Sequence, residues 1–136
     1  MCRELAKALT PRLNVGEELW SAAAERAAEA LQGVSGDIAA ELEKRGFTAE
    51  YRDLSFPGVL VWGRVELAEK KVYVDREALK ILGERLAASG RNASSAQLEA
   101  LVLAHELFHI IDGRCPPQYC EPAAVIFSLR LTGAGE

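Results

Sequence analysis

The spacing of apolar positions changes near residue 47, from a helical period to clusters of β-branched and aromatic residues. Upstream of that change, Leu19, Ala23, Arg26, Ala27, Ala30 and Leu31 recur at helical spacing and predict a helix over roughly residues 17 to 32. A Gly-Val-Ser-Gly break at 33–36 precedes a second helix from Asp37, which ends on Lys44, Arg45 and the terminating Gly46. These helices read as packing elements without catalytic groups. Downstream, the segments Phe47–Tyr51, Val59–Leu67 and Lys71–Asp75 predict three strands. Only Ala68-Glu69-Lys70 joins the last two, so they are expected to form an antiparallel hairpin.

A helix from about Arg76 to Ala88 follows, then the loop Ser89-Gly90-Arg91-Asn92-Ala93. Ser94 with Gln97 three places on matches a capping box that opens the next helix. Leu101, Ala104, Phe108 and Ile111 form its apolar stripe, with Leu98 and Val102 beside it. A last helix is expected over Pro122 to Leu131. The order predicts an α+β fold in one domain over 1–136, with N-terminal helices at 1–46, a sheet at 47–75 and later helices at 76–136.

A length of 136 residues fits that single core. Sixteen basic against twenty acidic residues leave a formal net charge of -4, which argues against nucleic acid or an anionic membrane as partner. The N-terminus lacks the pattern of a signal peptide and no apolar run reaches spanning length, so a cytoplasmic location is expected. Cys2, Cys115 and Cys120 are too few for a disulfide framework and read as reduced thiols.

The candidate chemistry lies in His105-Glu106-Leu107-Phe108-His109, which contains both histidines of the chain. Residues four apart on a helix of 3.6 residues per turn share a face, so both imidazoles can reach one zinc ion. Glu106, rotated by about 100° on such a helix, can stand beside a water activated by the ion and act as its general base. Zinc lowers the pKa of such a water to about 7, which suits hydrolysis. The plainer alternative makes both histidines ordinary helix residues and Glu106 an exposed one.

Three residues compete as third ligand. Glu121, twelve residues after His109 and just before Pro122, would cap the last helix with its carboxylate aimed back at the first; otherwise it is a plain capping group. Asp112 continues the face of His105 and His109, yet three ligands in a row on one helix rarely converge tetrahedrally, so an outer acceptor or a helix cap before Gly113 suits it better. Cys115 lies ten residues after His105, where metzincins carry their last histidine, but Asp112 replaces the glycine of that pattern.

The chain resembles the ImmA/IrrE-type family of small metallopeptidases, a gluzincin-like group. The resemblance spans about residues 47 to 131. It rests on Asp53-Leu54-Ser55-Phe56-Pro57-Gly58-Val59 followed by Gly63, then Val72-Tyr73-Val74-Asp75, then Leu103-Ala104-His105-Glu106-Leu107-Phe108-His109. It implies a minimal zincin fold with a three-stranded, antiparallel-containing sheet ahead of the zinc helix. It further implies His105, His109 and Glu121 as zinc ligands and Glu106 as catalytic base. Phe108 stands where that family usually has glycine, and the chain shows no DNA-binding helix-turn-helix of its own.

The expected function is therefore that of a zinc metallopeptidase, a hydrolase acting on a protein or peptide that adds as a strand to the sheet edge. Trp62, Tyr73 and Arg64 are candidates to line the cleft, although Trp62 and Tyr73 read more simply as a cross-strand aromatic pair. The alternative is a non-catalytic module that keeps the scaffold and uses an ion for stability, its site closed by a fourth protein ligand. The Ala-rich helices leave room for a homodimer or a regulatory protein partner.

Overall fold

The structure, a computed structural model, describes residues 2–10, 15–54 and 62–133. Within them six helices and a small three-stranded mixed sheet form an α+β arrangement. The elements run α1 (Cys2–Leu9), α2 (Glu17–Leu31), α3 (Ile38–Lys44), β1 (Thr48–Tyr51), β2 (Gly63–Glu66), β3 (Lys71–Val74), α4 (Arg76–Ala88), α5 (Ser95–Ile111) and α6 (Cys120–Thr132).

Local chemistry explains most boundaries. The Asp37 side chain accepts from the Ala40 N–H to start α3, and Gly46, at φ 81, takes the left-handed turn after its end. Ser94 and Gln97 form the expected capping box of α5 in both directions. Asp75, expected as the last residue of a strand, is instead the N-cap of α4, where its carboxylate accepts from Glu77 and Ala78. Its other oxygen accepts from the Leu54 N–H at 2.9 Å, which ties the chain after β1 to the start of α4.

The sheet order is β1-β3-β2, with β1 parallel and β2 antiparallel to β3. The predicted hairpin is present, but its first strand is shorter than expected. Trp62 and Leu67 fall outside β2, and Val59, Leu60 and Val61 lie outside the described residues. Val72 and Val74 face the core, and Gly63 and Val65, paired with them, share that face. Arg64 and Tyr73 consequently lie on the opposite face. There the Tyr73 ring packs under the guanidinium groups of Arg52 and Arg64, 4.3 and 5.7 Å from its centroid, and the expected pairing with Trp62 does not occur.

Helix α5 lies between the sheet and the remaining helices. One side meets β2 and β3, and the other meets α6, which packs in turn against α2 and α1. Phe108 of α5 and Phe127 of α6 are fully buried with ring centroids 5.5 Å apart. Helix α1 was not predicted: eight residues carry too few turns for a period to show, yet Leu5, Ala6 and Leu9 all reach the core. Among the described residues no helix is long and apolar enough to cross a membrane.

Candidate metal centre

His105 and His109 occupy the last turns of α5 and present their rings on one face, with centroids 5.1 Å apart. Their Nε2 atoms converge on one carboxylate of α6: His105 Nε2 lies 2.9 Å from Glu121 Oε2, and His109 Nε2 lies 3.0 Å from Oε1. One potential ligand atom from each of the three residues falls within 4.8 Å of the others, so the group can hold a metal ion. Two donors bound tetrahedrally to one ion at zinc-like distances stand about 3.4 Å apart, so each imidazole nitrogen lies within about half an ångström of that spacing from an oxygen of Glu121. Two imidazoles and one carboxylate also form a donor set that suits such an ion.

Glu121 is not the helix cap expected from its place before Pro122. Tyr119 holds the cap position, and Glu121 lies inside the first turn of α6. From there its side chain, 55% exposed along its length, returns to the histidines. Burial works to raise its carboxyl pKa, but the hydrogen bonds to His105 and His109 outweigh it and hold the group well below the usual carboxylate range. For His105, burial favours the neutral ring, and the bond to Glu121 with the charges of Glu121 and Glu106 reverses that preference.

Glu106 is buried beside the cluster, and burial raises its carboxyl pKa despite the opposing influence of His105 and His109. The sheet comes very close at this point. A methyl group added at Gly63 would lie 2.8 Å from the Tyr73 carbonyl oxygen, 2.9 Å from Val102 Cγ1 and 3.3 Å from Glu106 Cγ. Trp62, next to Gly63, sets its ring 5.4 Å from that of His105. Trp62 thus reaches the site, whereas Tyr73 and Arg64, on the far face of the sheet, do not line it.

The other two candidate ligands are engaged elsewhere. Asp112 caps α5 and is held by Arg26 of α2 through both carboxylate oxygens, with Nη2 to Oδ1 at 2.9 Å and Nε on Oδ2. That hydrogen bond lowers its carboxyl pKa. Cys115 is buried, and its thiol interacts with that of Cys120. Both are free thiols; the side chain of Cys2 lies outside the described residues. Cys120 Sγ also lies 3.3 Å from His109 Nδ1, whereas His105 Nδ1 is buried with no hydrogen-bond partner among the described residues.

Arg26, Gly63 and Cys120 had no assigned part at the site. Two of them left a trace in the sequence. A guanidinium on the otherwise apolar stripe of α2 needs a buried partner, and a glycine inside a strand marks a close approach of another element.

The chain matches no protein-family model and no curated protein. Among solved structures it is similar to a Mycobacterium tuberculosis transcriptional regulator, at 16% identity over 98% of this chain and with a TM-score of 0.31. The chain spans 40% of that protein's length.

Proposed function

We propose that the chain is a zinc-dependent metallopeptidase of the minimal zincin type, the fold and family that its motif resembles. One observation carries the reading: His105 and His109 Nε2 meet a carboxylate from a separate helix, with Glu106 buried alongside. When bound, a zinc ion supplies a Lewis acid for the scissile carbonyl and makes water a usable nucleophile near pH 7.

The side chains divide the remaining work. His105, His109 and Glu121 hold the cation, and Glu106 accepts the proton of the attacking water and returns it to the leaving amine. A carboxyl made more basic by burial suits that exchange better than a solvated one. Strand β2 is an edge of the described sheet beside α5, which favours an extended peptide that pairs with its main chain.

A structural ion is closed by four protein ligands, whereas a catalytic one keeps a place for water. Asp112 is occupied by Arg26, and the described contacts of Cys115 and Cys120 lead to each other and to Nδ1 of His109, away from the converging Nε2 atoms. This favours the open, catalytic arrangement over the closed module.

Metal analysis of the purified protein and three variants tests the proposal. The wild type should retain about one zinc per chain, as a three-ligand site does. His109→Ala and Glu121→Ala should lose most of it. Glu106→Gln should keep the zinc and lose at least about a hundredfold in peptide cleavage, the low end for a general base. Full zinc retention by Glu121→Ala would reassign the third ligand, and undiminished cleavage by Glu106→Gln would remove the base.

A further inference from the structure

A metal-binding imidazole has two ends, and the second decides whether the first is available. For His109 to offer the Nε2 lone pair to a cation, its proton must sit on Nδ1, and a neighbouring acceptor that holds it there fixes both tautomer and ring orientation. Carboxylates and backbone carbonyls usually fill that place. Here the atom beside His109 Nδ1 is the sulfur of Cys120, at 3.3 Å.

The geometry points to Cys120 as a positioning residue for the metal centre: its sulfur accepts the Nδ1–H of His109 and leaves the Nε2 lone pair free for a divalent cation. This rests on the metallopeptidase reading above and adds to it a residue outside the ligand set.

Three features support the assignment. Cys120 is the first residue of α6 and Glu121 the second, so one helical turn delivers a ligand to Nε2 and a partner to Nδ1 of the same ring. The buried Cys115 thiol lies against Cys120 and can accept its S–H, which leaves a sulfur lone pair for His109 in that orientation. A thiol can also donate. It therefore serves His109 when Nε2 carries the proton and is hydrogen-bonded to Glu121, and again when a cation displaces that proton, with rotation about the Cβ–Sγ bond as the only change required. A carboxylate would serve the second state alone.

His105 is the internal contrast. Its Nδ1 is buried with no partner among the described residues, and its ring is instead flanked by Trp62 and His109. One ligand is oriented by a polar contact, the other by packing.

Zinc affinity, measured by competition with a chromogenic chelator, tests the proposal on the wild type, Cys120→Ala and Cys120→Ser. Loss of an outer partner costs roughly 10- to 100-fold in metal affinity, so Cys120→Ala should weaken binding within that range. Serine also donates and accepts, and Cys120→Ser should recover most of the loss. Melting of the chelator-treated proteins should differ little among the three, which separates positioning from a folding defect. If alanine prevents folding, Cys120→Val fills the place of the thiol with a somewhat larger apolar group that has no acceptor, and the same contrast with serine applies. Wild-type affinity in the alanine or valine variant would overturn the role of Cys120 alone. Absence of zinc binding by the wild type would overturn the metallopeptidase reading and this inference with it.

Discussion

Helix α5 is held differently on its two sides. Toward α2 and α6, its last turn is fixed by directional contacts: Arg26 on Asp112, Glu121 on both histidines and Cys120 on His109. Toward the sheet, the contacts at the site are matters of shape, with Gly63 pressed against Val102 and Glu106 and the Trp62 ring beside His105, while the hydrogen bond that Tyr51 of β1 donates to Glu99 lies nearer the start of the helix. The contrast separates two ways to build a site. Hydrogen bonds set where donor atoms point, while close packing sets how near a neighbouring strand can come.

On the helix side, packing supports those hydrogen bonds at Phe108, which packs on Phe127 of α6 and lies edge-on to His109, with centroids 5.8 Å apart. Phe108→Ala should have the largest effect on stability, about 3–5 kcal/mol in urea unfolding. A cost under about 1 kcal/mol, the scale of a surface change, would mean that this joint bears little of the packing between α5 and α6.

Gly63→Ala probes the sheet side. Its methyl group meets a backbone oxygen that cannot rotate away, so β2 or α5 must shift, and overpacking of this kind costs about 1–3 kcal/mol. Strain at Glu106 should accompany it, and cleavage should fall more than zinc content does. Equal losses of both would place the disturbance at the ligands instead.

The smallest effect is expected from Asp112→Asn on the helix side, and it should depend on pH. Arg26 depresses the Asp112 carboxyl pKa below its ordinary 3.8 in the folded chain. The stabilisation is thus complete above that ordinary value and fades as pH falls through the folded one. Thermal melts should show the variant below the wild type at pH 7, with the gap shrinking below about pH 4. A gap that persists unchanged at pH 2 to 3 would show that Asp112 acts through packing or capping.

What the sequence reveals follows the range of the forces involved. The capping box at Ser94, the hairpin across Ala68–Lys70 and the shared face of His105 and His109 are local, set by residues at most a few positions apart, and all are found. The union of Glu121 with those histidines was one of three possibilities, because no local rule says how α6 folds back on α5. The bond between Arg26 and Asp112 joins positions eighty-six apart and was not read at all. The Trp62–Tyr73 pairing failed for a related reason: register decides the face, and Tyr73 stands opposite Arg64. Periodicity locates a helix, but a one-residue difference in strand pairing exchanges every neighbour.

The carboxylate comes from a different helix than the imidazoles, and this ties the donor trio to the act of docking. A nascent chain that has emerged only through α5 carries two nitrogens and no closing oxygen, and a fluctuation that lifts α6 would split the trio while leaving α5 wound. An ion held there would act as a clasp between two helices, tightest when the chain is fully assembled.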